Sequence, residues 1–460
     1  MTERRGRSRS GNRARHRAFQ DPARDAAYEV ITRVREDAAY TNLLLPAVLR
    51  RRELEPRDAA FATELAAGTI RGQGSYDAIL AACVDRPLSK VDAAVLDALR
   101  MGTHQLLAMR VPTHAAVSTT VDLVRAVSNQ GAAGFANAVL RKIAACDLET
   151  WIERLAPVDE IDRLALTTSH PAWVVELLQE AIGPAEIEAL LASNNQRPAV
   201  TLAARPGLST IEELPGESTN LSPYAVILDG GDPGLIPAVA QGLAGVQDEG
   251  SQLVAAALAQ AEMSTDCGRW LDLCAGPGGK TALLAALAAQ QGAKVLAAER
   301  QPHRASLVRS AVRAVPAGML GVLATDGTCP PWENQMFDRV LVDAPCTGLG
   351  ALRRRPEARW RRRPEDLAEL VPLQRALLES AVASVRVGGV VAYATCSPVL
   401  AETAKIVTAV LEANPALALE DASPLFPTTD HAGPLSGTVQ LWPHRHGTDA
   451  MFFALIRRVH

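Results

Sequence analysis

The chain has 460 residues, 48% of them hydrophobic and 21% charged, with a formal net charge of −4; that length holds two or three domains and enough apolar side chains to pack them. No apolar run approaches a membrane span and no hydrophobic segment follows the charged N-terminus, so a cytoplasmic protein with no membrane partner is expected. Seven cysteines without a single C-x-x-C or C-x-x-H pair argue against a zinc site or a disulfide framework, so no metal is expected either.

Net charge says little about nucleic acid; the placement of charge says more. Residues 1–17 carry seven arginines against one acid, Glu3. Nothing there can build a core, so 1–19 is expected to be a disordered basic arm suited to phosphate contact. From 20 to 148 only helices are expected. Val95, Leu99 and Leu106 recur at helical spacing, as do Val117, Val121 and Val124, then Phe135, Val139 and Ile143. Asp85-Arg-Pro-Leu-Ser89 and Arg110-Val-Pro-Thr113 interrupt them. His104 and His114 read as structural histidines. Arg141-Lys142 either touches RNA or complements a helix C-terminus.

Residues 149–245 read as a small α/β connecting segment. Helices come first, with Ser169 expected as an N-cap and Trp173 turned into a core. Between Arg197 and Gly245 frequent Pro and Gly separate short strands such as Ala225 to Leu228. From 246 onward strand and helix alternate, the pattern of a parallel sheet with crossovers.

The first strand of that region, Trp270 to Leu273, runs into Leu271-Asp-Leu-Cys-Ala-Gly-Pro-Gly-Gly-Lys-Thr281, with a helix expected from Lys280 or Thr281. Gly276, Gly278 and Gly279 let the backbone turn tightly and let a ligand approach the helix start. A Walker phosphate loop needs glycine where Cys274 stands, and the glycine spacing does not fit a dinucleotide turn. S-adenosylmethionine remains. A second strand, Lys294 to Glu299, ends in an acid suited to ribose hydroxyls. A third, Leu320 to Leu323, leads to Asp326, within reach of an adenine.

A fourth strand, Phe337 to Asp343, runs into Asp343-Ala-Pro-Cys346; a fifth, Gly389 to Thr395, runs into Ala394-Thr-Cys-Ser-Pro398. Ligands of open α/β sheets bind beyond the carboxyl ends of the strands, so both cysteines should face the cofactor cleft. Carbon 5 of cytosine is a poor nucleophile until a thiolate adds at carbon 6; a base must then remove the carbon-5 proton before the thiol can leave. One cysteine can add while the other assists release, and residue chemistry alone leaves the direction open. Asp343 is placed to bond ring nitrogen 3. Between the two motifs, Leu352 to Arg363 holds seven arginines and one glutamate with Trp360 among them. That reads as a positive rim with a stacking face for single-stranded RNA, carried by Arg353, Arg354, Arg355, Arg359, Trp360 and Arg361. Val439 to Trp442 and Met451 to Ile456 suggest a closing hairpin or edge strands.

Leu-Cys-Ala-Gly-Pro-Gly-Gly-Lys-Thr, Asp-Ala-Pro-Cys and Ala-Thr-Cys-Ser-Pro together resemble the RNA cytosine-5 methyltransferases of the Nop2/Sun/Fmu superfamily. Gly134-Phe-Ala-Asn-Ala-Val-Leu-Arg-Lys142 resembles the NusB-like RNA-binding domain, a pairing typical of the bacterial Sun/Fmu branch. The resemblance implies an all-α NusB-like domain before a Rossmann-like catalytic domain at 246–460, acting as a monomer on a cytosine of 16S ribosomal RNA. It implies Cys396 as nucleophile, Cys346 as the release residue and Asp343 as the base-stabilising group. It implies a cofactor site of Cys274, Ala275, Gly276, Pro277, Gly278, Gly279, Lys280, Glu299, Arg304, Asp326 and Asp343. Glu299 stands where many relatives have Asp, and Leu202-Ala-Ala-Arg205 where relatives show Leu-Arg-Val-Asn.

Overall fold

The computed structural model describes residues 19–428 and 430–460; the expected arm at 1–19 lies outside them but for Phe19. The chain divides into two compact units, one ending at Ala156 and one beginning at Pro157.

The first unit is helical throughout: Pro22–Glu36, Thr41–Arg52, Pro56–Arg71, Gln73–Cys83, Ala93–Leu107, Thr113–Val127, Gln130–Ile143 and Leu148–Leu155. Short polar side chains start several of these, with Asp21, Asp92, Asn129 and Asp147 each accepting from a first-turn N–H. Ala93–Leu107 is the hub; it packs against five neighbouring helices and buries Val95, Ala98, Leu99 and Met101. A methyl at Gly102 would lie 2.9 Å from Leu140 and Thr120 side-chain carbons, so the absence of Cβ permits this approach. His104 is buried, bonded through Nδ1 to the Tyr76 hydroxyl at 2.8 Å, and burial pushes it down to about 4, so it is neutral. His114 is exposed on the first turn of its helix and is not part of a core. Lys142 reaches the Cys83 carbonyl at 3.1 Å.

The second unit opens with helices Glu160–Thr168, Ala172–Ile182 and Ile187–Asn194. Ser169 is not the expected N-cap: it closes the preceding helix in the left-handed region at φ 56°, and Pro171 precedes the next one. Leu164, Val175, Leu178 and Leu191 pack on Leu349, Leu352 and Trp442, which ties these helices to the loops beyond the main sheet. A small antiparallel sheet follows, built from β1 (Val200–Ala204), β2 (Glu217–Ser218), β3 (Ala225–Leu228) and β4 (Ala244–Val246) in the order β2-β3-β1-β4.

The main sheet holds β5 (Arg269–Asp272), β6 (Lys294–Glu299), β7 (Met319–Ala324), β8 (Phe337–Asp343), β9 (Val385–Thr395), β10 (Leu417–Glu420), β11 (Val439–Gln440) and β12 (Phe452–Arg458). Its order is β10-β12-β9-β8-β5-β6-β7, with β11 paired to β12. β5 to β9 run parallel and β12 enters antiparallel to β9. β12 therefore forms the expected hairpin with β11 but lies inside the sheet, with β10 beyond it. Helices Glu249–Gln260 and Gly279–Gln290 cover one face and Asp366–Ser384 and Ala404–Ala413 the other. Both faces are dry, so successive residues of β8 all bury: Leu341 toward one side, Val340 and Val342 toward the other. Each such side chain contributes about 1.5–3 kcal/mol by leaving water. β5 leads outward to β6 and β7 while β8 and β9 lie on its other side, so the order reverses at β5 and opens a crevice beyond the strand ends.

Candidate active site

Every polar group expected from the sequence on β5 to β9 sits at that carboxyl edge. The turn after β5 is held by Leu273 N–H to the Leu341 carbonyl and Ala275 N–H to the Ala298 carbonyl, both 2.9 Å. Gly278 has φ +113° and stands directly before helix Gly279–Gln290, whose start has no side-chain cap. A Cβ at Gly278 would lie 2.7 Å from the Ala311 methyl, and one at Gly276 only 2.2 Å from Glu299 Oε2. Glycine here is a steric requirement as well as a conformational one.

Glu299 is buried at the end of β6. Its Oε2 accepts from Gly276 N–H at 3.0 Å and its Oε1 from Gln301 N–H at 2.9 Å. Arg304, on the helix Pro302–Ala311 after β6, lies 3.6 Å from the carboxylate and donates to the Gly276 carbonyl at 2.5 Å, so an acid at the strand end and a base on the next helix brace the glycine turn. Asp326, beyond β7, accepts from Thr328 N–H at 2.9 Å and Thr328 hydroxyl at 2.7 Å, with Arg300 at 3.5 Å. The Thr328 backbone bond holds its carboxyl below the usual range. The Asp326 side chain remains partly exposed.

Lys280, the second residue of the helix, donates to Asp343 Oδ2 at 2.9 Å across the crevice floor. Burial alone would lower Lys280, but the Asp343 carboxylate beside it holds it above its ordinary value. Beneath them Asp272 accepts from the Thr281 hydroxyl at 2.7 Å, and burial pushes it up to about 7. Cys274 is driven well up by burial and by the carboxylates of Asp272, Asp343 and Glu299, so its thiol is inert.

Cys346 and Cys396 converge as expected, with Sγ atoms 3.4 Å apart. The hydrogen bond from Cys346 lowers Cys396 against opposing burial, with Arg355 and Lys280 adding to the effect; the same bond and burial raise Cys346 well above a normal thiol. The shared bond favours a thiolate at Cys396 over one at Cys346.

The arginine segment departs from the expected rim. Arg359 is fully buried and donates to the carbonyls of Ser169 and Asn194 and to Asn195 Oδ1 at 3.0, 3.2 and 2.8 Å. Arg353 is buried and donates to the Gly447 carbonyl; Arg354 pairs with Asp248 at 2.7 Å and with Asp449 at 3.3 Å. These three are internal struts, because the helices 157–196 and the loop at 447–449 close over them. Arg355, Trp360 and Arg361 are half-buried, and Arg363, beyond the expected contact residues, is exposed. Arg205 of the small sheet is also buried, bonded to the carbonyls of Gly242 and Ala311.

Sequence reasoning missed the groups behind the cysteines: Thr347, Ser397, Gln374 and Glu402. For Thr347 and Ser397 the signal was there, since each follows one of these two cysteines directly. Among the described residues no helix is long and apolar enough to cross a membrane, and no group of three or more His, Cys, Asp or Glu side chains could hold a metal ion.

A family model described as 16S rRNA methyltransferase RsmB/F matches residues 256–457, and a model of the NusB family matches 21–145. A putative methyltransferase of Mycobacterium tuberculosis is 53% identical over 95% of this chain and 97% of its own length. The probable ribosomal RNA small subunit methyltransferase B of Bacillus subtilis is 31% identical over 95% and 98%. A solved structure named PH0851 shares the fold over 96% of this chain and 99% of its own, with a TM-score of 0.79 at 24% identity.

Proposed function

The chain belongs to the RsmB/F family of 16S rRNA methyltransferases, and from that premise we propose that it methylates carbon 5 of a cytosine in 16S ribosomal RNA, acting as a monomer with S-adenosylmethionine as donor. The cofactor assignment rests on the fit of the residues. The turn at Gly276–Gly279 leaves no room for a Cβ at Gly276 or Gly278, an uncapped helix start follows, and carboxylates stand at the ends of β6 and β7. Cys274 to Lys280, with Glu299, Arg304, Asp326 and Asp343, would hold the cofactor, which when bound supplies an electrophilic methyl group.

The observation that carries the reading is the polarised pair of sulfurs 3.4 Å apart. Cys396 is the nucleophile: its thiolate adds to carbon 6 of the cytosine, and carbon 5 becomes enamine-like. Lys280 relays a proton through Asp343 to ring nitrogen 3 and so removes the charge that develops there. Cys346 then serves release. Once Cys396 is bonded to carbon it no longer shares the hydrogen bond with Cys346, and Cys346, as a thiolate, is the base of the release step. With carbon 5 carrying the methyl group as well as its proton, Cys346 takes that proton, the sulfur–carbon bond to Cys396 breaks, the 5,6 double bond re-forms, and ring nitrogen 3 returns its proton to Asp343. Arg355, Trp360, Arg361 and Arg363 offer the contacts for RNA near this edge, while the NusB-like unit and the small sheet supply further RNA-docking surface.

The test is Cys346→Ala, incubated with S-adenosylmethionine and total cellular RNA. A protein–RNA adduct that survives denaturation should accumulate, disappear when Cys396 is also changed, and carry 16S rRNA sequence. Undiminished methylation with no adduct would refute the release role, and an adduct carrying tRNA would overturn the proposed substrate.

A further inference from the structure

We infer that Glu402, with Gln374, is a positioning pair that sets the separation of the two cysteine sulfurs; the inference rests on the two-cysteine reading above. Glu402 is fully buried in the 3-10 turn after β9, and the chemistry proposed so far does not use it. Its Oε1 accepts from Thr347 N–H at 2.8 Å and from Gln374 Nε2 at 2.9 Å, and its Oε2 accepts from the Thr347 hydroxyl at 2.5 Å. Gln374 also donates to the Pro345 carbonyl at 2.9 Å. Both chain neighbours of Cys346 are therefore tied, directly or through Gln374, to one carboxylate.

The same carboxylate reaches the other cysteine. The Thr347 hydroxyl spends its proton on Glu402, so at 3.1 Å it must accept from the Ser397 hydroxyl, which in turn accepts from Val399 N–H at 3.3 Å. The Tyr393 hydroxyl fixes the Glu402 carbonyl at 2.8 Å. The result is a one-way chain of hydrogen bonds from the Cys396 loop through Ser397 and Thr347 to the anion, and it clamps two loops 50 residues apart in sequence. A buried carboxylate is costly to maintain where only packing is needed, because an apolar side chain would fill the space without a charge to satisfy. What the charge adds here is direction: it orders every donor around it and leaves each cysteine loop one arrangement.

The test uses Glu402→Ala, Thr347→Val and Thr347→Ser in the full chain, with folding checked by circular dichroism and melting. Disulfide closure between Cys346 and Cys396 under diamide measures their separation without any methyl transfer. Closure should slow about tenfold or more in Glu402→Ala and Thr347→Val, since misplacement on the order of 1 Å costs up to about a hundredfold in a proximity-driven step. Thr347→Ser should restore it. With rRNA and S-adenosylmethionine, kcat should fall while KM for RNA holds, and the denaturation-resistant adduct should rise because release is the slowed step. Folded Glu402→Ala and Thr347→Val proteins that both close at the parental rate would overturn the inference. Slow closure in them, combined with no adduct from Cys346→Ala, would sustain the clamp and sink the cysteine roles instead.

Discussion

Arg359 decides between two readings of the arginine segment, and Arg359→Leu separates them. The side chain is fully buried, and its guanidinium satisfies three acceptors on residues 169, 194 and 195. Leucine fills much of the same space but donates nothing. A buried acceptor left without a donor costs about 1–3 kcal/mol, so three of them, partly compensated by water entry, put the loss at about 3–5 kcal/mol. The penalty falls on the packing of helices Glu160–Thr168 and Ile187–Asn194, where Trp173 packs against the same cluster and Trp442 lies within it. Urea unfolding followed by tryptophan fluorescence should show a clear drop in midpoint, while RNA affinity of the folded protein and its salt dependence stay unchanged. An unaltered midpoint together with a salt slope reduced by about one would refute the strut and restore a phosphate contact.

Three further outcomes follow from the geometry. Gly276→Ala places a methyl 2.2 Å from Glu299 Oε2 and 2.9 Å from Arg304 Nε; with overpacking worth about 1–3 kcal/mol, S-adenosylmethionine affinity by calorimetry should fall about tenfold or more. Cys346→Ala removes the hydrogen bond that first lowers Cys396, so the pH profile for alkylation of Cys396 by iodoacetamide should move upward; a downward move would refute the polarised pair. Asp272 is neutral in the fold up to about pH 7 but ionises near 3.8 when unfolded. The folded state binds the extra proton across that window, so stability falls as pH rises from about 4 to about 7, by up to about 1.4 kcal/mol per pH unit. Asp272→Asn should flatten that slope in melts taken across the same range.

What the sequence disclosed was whatever depends on local pattern. β6 and β8 have the bounds that their apolar runs set, because both faces of a parallel strand are buried and the run ends where burial ends. β9 begins earlier than its apolar run, at Val385, because the strand continues through the irregularity around Gly388, at φ +79°. The turn at Gly276 to Gly279 was readable because glycine spacing reports backbone geometry directly. The arginines at 353, 354 and 359 misled because charge predicts exposure only when nothing folds over it, and here distant helices supply buried carbonyls as partners. Ser169 misled in the same way, since N-cap and C-cap positions both admit a small polar residue. Glu402 and Gln374 were invisible because their role exists only where two loops meet.

The antiparallel insertion of β12 between β9 and β10 has a consequence for synthesis on the ribosome. β5 to β9 can pair as soon as they emerge, but the outer edge of β9, which carries the Cys396 loop at its end, stays unpaired until residues 452–458 have been made. More than fifty residues separate that edge from its partner. For that interval the nascent chain exposes a long apolar strand edge, a template for wrong pairing with another chain. Vectorial folding thus leaves the most reactive sulfur on the least protected strand until β12 arrives. A chaperone that shields exposed edges would matter most in that window.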